Sequence, residues 1–249
     1  MKISASERLI FALDVNDFDE AKKWVDKLAN YVKIFKVGSQ LFTAEGPEVI
    51  NMINHRGGKV FLDLKYHDIP NTVALAAEVA TKLGVHIFNI HTSGGYKMMK
   101  VAAEAVKNTS QNFGIGKPLV LGVTLLTSID QEILESELGI KKRLEEQVVN
   151  LAKLAKAAGL DGVVASSWEI AGIRAACGDD FIILTPGIRL MEKSLNNQDD
   201  QKRIMTPGKA LKLGADFIVV GRPIRSAENP KEIVKKILEE MEVKLKDDN

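Results

Sequence analysis

The 249-residue chain contains a single cysteine, almost no net charge and no long apolar run. Cys177, standing alone, excludes an internal disulfide framework and a cysteine-built zinc site. Its setting, Ile173-Arg174-Ala175-Ala176-Cys177, reads as a filler position on a helix and not as a catalytic thiol. Basic and acidic residues number 34 and 33, for a formal charge of +1. General attraction to nucleic acid or to a membrane surface is therefore not expected, and any anionic ligand must be held by local groups. No stretch approaches the roughly 18 apolar residues of a membrane span, and polar Met1 to Arg8 leads straight into an apolar strand. Cytoplasmic residence is the expectation. A glycine-rich phosphate turn is also missing after the first apolar run, where Leu13-Asp14-Val15-Asn16 stands instead. That absence counts against a doubly wound dinucleotide-binding sheet.

What the chain does have, in a sequence that is 45% hydrophobic and 27% charged, is a regular alternation. Short apolar runs at Leu9–Ala12, Ile34–Val37, Val60–Leu62, His86–Ile90, Leu119–Val123, Gly162–Ala165, Phe181–Leu184 and Phe217–Val220 read as strands. Helical periodicity separates them at Phe18–Asn30, Gly46–His55, Asn71–Leu83, Gly95–Asn108, Leu144–Ala158 and Pro207–Leu213, and charged Lys231–Lys246 forms a last helix. The alternation never breaks into a linker. Residues 1–249 are therefore expected to form one α/β domain, a single (β/α)8 TIM barrel.

Such barrels build their sites at the carboxyl ends of the strands. That rule selects Asp14 after the first run, Lys36 at the end of the second, Asp63 and Lys65 after the third, His91 after the fourth and Thr127 after the fifth. The seventh and eighth runs end in Thr185-Pro186-Gly187-Ile188-Arg189 and Gly221-Arg222-Pro223-Ile224, where these barrels commonly hold a phosphate. Gly221 would let a backbone amide approach an anion, and Arg189 or Arg222 would offer a bidentate fork, so a phosphorylated ligand is implied.

The densest chemistry lies in Asp63-Leu64-Lys65-Tyr66-His67-Asp68-Ile69-Pro70-Asn71-Thr72. Strand alternation would send Asp63 and Lys65 to one side, with Asp68 in the turn before Pro70. Burying such charges costs several kcal/mol per ion unless each meets an opposite partner, a cost tolerated mainly for function. Most Asp-x-Lys sequences are surface pairs, so the spacing gains weight from its company along the chain.

That company resembles the orotidine 5′-phosphate decarboxylase family. The resemblance rests on this run, on Thr185-Pro186-Gly187-Ile188-Arg189, on Asp200-Gln201-Lys202-Arg203 and on Val220-Gly221-Arg222-Pro223, with Ala12-Leu13-Asp14 and Phe35-Lys36-Val37-Gly38 ahead of them. It implies loss of CO2 from orotidine 5′-phosphate to give uridine 5′-phosphate (UMP), the last step of de novo UMP synthesis, with no metal or organic cofactor. It also implies a homodimer with shared active sites. By the same resemblance Lys65 is the proton donor, Asp63 lies beside the leaving carboxylate, and Lys36 and Asp68 complete the charged set, Asp68 reaching the partner's site together with Thr72. Asp14 and Lys36 would bind ribose hydroxyls, Thr127 the pyrimidine, and Pro186 would line the ring pocket. Arg189, Gln201, Gly221 and Arg222 would hold the phosphate, with Gln201 preferred to Gln198 because Asp200-Gln201-Lys202-Arg203 keeps the motif. The stretch Leu190–Asp199 departs from the bacterial pattern, and the loop from Arg189 to Arg203 is expected to close over the phosphate.

His67 and His91 lack metal-ligand spacing, and Trp24 and Trp168 are expected to be buried on the barrel's outer layer. Two other functions stay open. A related magnesium-dependent sugar-phosphate decarboxylase or isomerase shares the Asp-x-Lys-x-x-Asp core, although Pro186, Gln201 and the Asp-Ile-Pro-Asn-Thr extension fit a nucleotide better. An idle phosphate-binding barrel would need the arginines but not the costly Asp63 and Lys65.

Overall fold

In the computed structural model, residues 4–189 and 205–247 are described, with side chains as far as residue 243. The chain alternates between helix and strand throughout, opening with α1 (Ala5–Arg8), β1 (Leu9–Ala12), α2 (Phe18–Leu28), β2 (Ile34–Gly38), α3 (Ser39–Glu45), α4 (Glu48–His55) and β3 (Lys59–Tyr66). Next come α5 (Pro70–Lys82), β4 (Ile87–His91), a 3-10 turn (Thr92–Gly94), α6 (Gly95–Phe113), β5 (Leu119–Val123), α7 (Gln131–Ser136) and α8 (Leu144–Ala157). The remainder is β6 (Gly162–Val164), α9 (Ile170–Cys177), β7 (Ile182–Thr185), α10 (Pro207–Lys212), β8 (Phe217–Val220), α11 (Arg222–Arg225) and α12 (Pro230–Asp247). The eight strands follow one another in sequence order around a closed barrel, the (β/α)8 class.

Two compact units make up the chain. The first comprises Met1–Asp63 with Thr185–Asn249. Here β1 pairs in parallel with β2, Ala12 opposite Lys36, and with β8, Phe11 opposite Val220. β2 pairs with β3, which sets Gly38 opposite Asp63. All four residues of β1 and of β8 are buried, as the continuous apolar strands of a helix-covered parallel sheet require. Phe11 and Phe35 meet edge to face at 6.4 Å. α2 begins where the Asp17 carboxylate accepts the Glu20 amide at 2.8 Å, and it buries Ala21, Val25 and Leu28, a stripe at helical spacing.

The second unit is Leu64–Leu184. β4 pairs with β5, Asn89 opposite Leu121, and β5 and β6 continue in parallel to β7. Pro70 opens α5 at the position where its missing amide leaves no bond unmade. Gly114 closes α6 in the left-handed conformation that glycine adopts without strain.

The strands β1, β5 and β8 have the bounds that the apolar runs indicate. β3 does not: it continues through Asp63 and Lys65 to Tyr66, so both charged residues belong to the strand and do not follow it. Lys36 falls inside β2, and His91 is the last residue of β4. Short α3 and α7 lie in stretches whose periodicity was too brief to register against flanking loops. Trp168 corrects another expectation. It sits in the turn between β6 and α9 and is 57% exposed, because the chain turns through Ser166 and Glu169 before the helix starts at Ile170. Trp24, on α2, is half-buried with its ring 5.4 Å from that of Phe11.

Candidate active site

Three charged side chains meet in the first unit. The Lys36 Nζ lies 3.0 Å from Asp14 Oδ1 and 3.4 Å from Asp63 Oδ2. The register explains the meeting. Asp14 follows β1, Lys36 lies on β2 opposite Ala12, and Asp63 sits on β3 opposite Gly38, so adjacent strands deliver all three. Lys36 and Asp63 are largely buried, at 13% and 14% side-chain exposure, whereas Asp14 is 44% exposed and open to a ligand. A lysine ammonium donates only, and here it serves two carboxylates, which offsets the cost of taking the charges out of water.

Glycines give this array its room. A Cβ on Gly38 would stand 3.1 Å from Lys36 Nζ. One on Gly221 would stand 3.0 Å from the Ala12 Cβ and 3.3 Å from Asp14 Oδ2. Gly221 is thus closely packed where the chain leaves β8 beside β1, a packing reason for glycine beyond the anion approach that the sequence suggests. Arg222 opens α11 and is exposed, as is Arg189, whose amide donates to the Met205 carbonyl at 3.1 Å. Pro186 is half-buried just past β7. Gln201 and the loop from Leu190 to Arg203 lie outside the described residues.

Arg225 is a member of this neighbourhood that the sequence reading passed over. Its Nη2 is 3.8 Å from Asp14 Oδ2, and its buried Nε has no hydrogen-bond partner among the described residues. The available signal was the spacing in Gly221-Arg222-Pro223-Ile224-Arg225, which sets a second arginine one helical turn after the first.

In the second unit, Lys65 has φ 52°, the one positive value at a non-glycine among the described residues. The left-handed region costs an L-residue about 1–2 kcal/mol. The backbone at Lys65 thus departs from the extended geometry that the period-two argument assumes. The Lys65 amide donates to the Oδ1 of Asn89, a fully buried residue of β4 that the sequence reading also did not single out. Its signal was a lone amide in the apolar run Ile87-Phe88-Asn89-Ile90.

Asp68 is exposed in the turn after β3, where its Oδ1 accepts the Ile69 amide at 2.6 Å. Thr72 is exposed on the first turn of α5. Thr127 is exposed in the turn that follows β5. The rings of His67 and His91 lie 5.3 Å apart. Among the described residues, no group of three or more His, Cys, Asp or Glu side chains could hold a metal ion. Also among them, no helix is long and apolar enough to cross a membrane.

Carboxylates and a lysine gathered at the ends of neighbouring parallel strands, with arginines after β7 and β8, place the chain in the class of (β/α)8 proteins with a charged site at the strand ends. The comparisons with known proteins narrow that class. The family described as "Orotidine 5'-phosphate decarboxylase / HUMPS family" matches residues 7–237. An orotidine 5′-phosphate decarboxylase of Syntrophotalea carbinolica is 53% identical over 99% of this chain and 100% of its own. One from Geotalea daltonii is 52% identical over 95% of this chain and 97% of its own. The crystal structure of orotidine 5′-phosphate decarboxylase from Lactobacillus acidophilus, 38% identical, superposes with a TM-score of 0.83 and covers 94% of this chain and 99% of that one. This chain belongs to the orotidine 5′-phosphate decarboxylase / HUMPS family.

Proposed function

We propose that the chain decarboxylates orotidine 5′-phosphate to UMP and CO2, the last step of de novo UMP synthesis, using side chains alone and Lys65 as proton donor. The observation that carries the reading is the Asp14–Lys36–Asp63 array, present in a chain 53% identical to a decarboxylase of that name.

The bond from ring carbon six to the carboxylate breaks with its electron pair left on carbon six. The pyrimidine carbonyls delocalise that pair poorly, so the barrier falls through charge placed beside the carbon. The Lys65 ammonium supplies that charge, then donates a proton to carbon six, and its amine regains a proton from solvent. Asp63 sits beside the leaving carboxylate, and it shares the Lys36 ammonium with Asp14 in a largely buried place. The remaining Asp14 oxygen and Lys36 offer an acceptor and a donor to the ribose hydroxyls. Thr127 meets the pyrimidine, Pro186 lines its pocket, and Arg189, Gln201, Gly221 and Arg222 take the phosphate. Binding energy from that remote group then favours the assembled transition state.

The same proposal makes residues 1–249 one domain that works in the cytoplasm as a homodimer. Thr72, Leu75 and Val79 recur at helical spacing on α5, and Leu75 and Val79 are 54% and 56% exposed, with Ile69 at 67%. An exposed apolar face of this kind suits a second copy, which would receive Asp68 and Thr72 from its edge.

Absorbance-monitored turnover of orotidine 5′-phosphate in excess chelator tests the activity. Chelator-resistant formation of UMP is expected; no turnover, with activity on sugar phosphates once magnesium is added, would move the chain to the neighbouring reading. Mixing inactive Lys65→Ala and Asp68→Ala proteins tests the sharing of sites. Hybrid dimers keep one intact site, so about a quarter of wild-type activity should return.

A further inference from the structure

We infer that Asn89 is a positioning residue for the reaction, acting through the backbone of Lys65. The inference rests on the reading of Lys65 as proton donor and adds a residue to it. Three observations converge. Lys65 has φ 52°, in a region where lysine is rarely found. Its amide donates to Asn89 Oδ1 at 2.8 Å, a strong and well-formed bond. Asn89 is 0% exposed on β4, inside a strand whose neighbours Ile87, Phe88 and Ile90 are also buried.

A left-handed residue within a strand persists only when its surroundings over-determine it, and such residues concentrate where function uses them. The positive φ takes the chain out of extended geometry at Lys65, and the amide at that point is met by a side-chain acceptor. A buried amide needs an acceptor. Asn89 provides one from a side chain, at a position where an aliphatic residue would pack as well but leave the N–H unpaired. An asparagine can do this without bringing a second charge into a buried strand. The bond thus ties the main chain of Lys65 to β4, and through it fixes where the long side chain begins. Misplacing a catalytic group by about 1 Å can cost on the order of 100-fold in rate.

The experiment compares wild type, Asn89→Ala and Asn89→Asp for kcat on orotidine 5′-phosphate, Kd for UMP and thermal midpoint. UMP lacks the carboxylate and needs no proton donor, so it reports a site that is otherwise intact. Asn89→Ala is expected to lose roughly 10- to 100-fold in kcat while UMP binds within about threefold of wild type. Asn89→Asp keeps an acceptor at the same reach and should recover about tenfold of that loss. If Asn89→Ala does not fold, Asn89→Ser, whose hydroxyl stops short of the amide, takes its place with the same expected split. A folded variant with wild-type kcat, parallel losses of kcat and UMP affinity, or an Asp variant that keeps the wild-type thermal midpoint yet is no better than Ala would each overturn the inference. Lys65→Ala in the same series separates the two readings. Wild-type turnover in that variant would remove the proton donor itself, whereas its inactivity beside an active Asn89→Ala would remove only Asn89.

Discussion

The ammonium of Lys36 stands 3.4 Å from Oδ2 of Asp63, with both side chains largely buried. Neither charge could stay there alone. Asp14 extends the pair outward, so that a line of alternating charges runs from the half-exposed Asp14 inward to Asp63 on β3.

Removing the middle of that line should therefore be worse than removing its exposed end. Lys36→Met takes from two carboxylates the cation they share, and a loss of about 2 kcal/mol in unfolding free energy is expected, together with nearly complete loss of activity. Asp14→Ala should leave stability within about 1 kcal/mol of wild type, because that carboxylate is already well solvated. Urea unfolding at pH 7 measures both; equal losses would contradict the ordering.

The arginine after β8 predicts a selective defect in affinity. Arg222→Ala should weaken UMP binding by about 10- to 100-fold, the loss of a charge-assisted contact, and leave binding of uridine unchanged. Calorimetric titration with the two ligands makes the comparison. Parallel losses would mean that Arg222 shapes the site and does not hold the phosphate.

The barrel and its strand ends were legible in the residues because apolar runs buried on both faces are continuous and because charge after such runs has few structural uses. β1, β5 and β8 are plain examples. The length of β3 was not legible, since Asp63 and Lys65 look like the end of a strand, although the ladder to β2 continues to Asp63 opposite Gly38. Positive φ at Lys65 could not be read either. Nothing in a lysine marks it, and the acceptor that accompanies it, Asn89, stands 24 residues away. Arg225 escaped for a related reason: its partner Asp14 lies at the other end of the chain. Trp168 looked helical because the helix signal of α9 begins just after it.

Glu169 predicts a pH effect on stability. Burial raises its carboxyl pKa above the ordinary 4.5, and the nearby Glu145 adds to the rise, while hydrogen bonds from Ser166 oppose it. The folded state then binds more protons than the unfolded state above that ordinary value. Stability from this group is retained below pH 4.5 and lost as pH rises through the raised value. Glu169→Gln should raise the thermal midpoint by a few degrees at pH 7.5 and make no difference near pH 4. The same gain at both pH values would rule out the titration.

Cys177 should be chemically quiet. It is buried at the end of α9, and burial pushes its thiol pKa up despite Lys156, Lys153 and Arg174 nearby. A thiol reagent at pH 7 is expected to label it only as fast as the protein opens, with labelling complete in denaturant and activity untouched in Cys177→Ala. Rapid labelling of the folded protein would contradict its buried setting.

The central claim concerns Lys65, and one comparison tests it most directly: single-turnover decarboxylation of orotidine 5′-phosphate, in excess chelator, by wild type and Lys65→Ala, with UMP affinity measured on both proteins. The account predicts a fast wild-type reaction and a loss of at least about 1,000-fold in the variant, with UMP still bound. A folded Lys65→Ala protein that releases CO2 near the wild-type rate would contradict it.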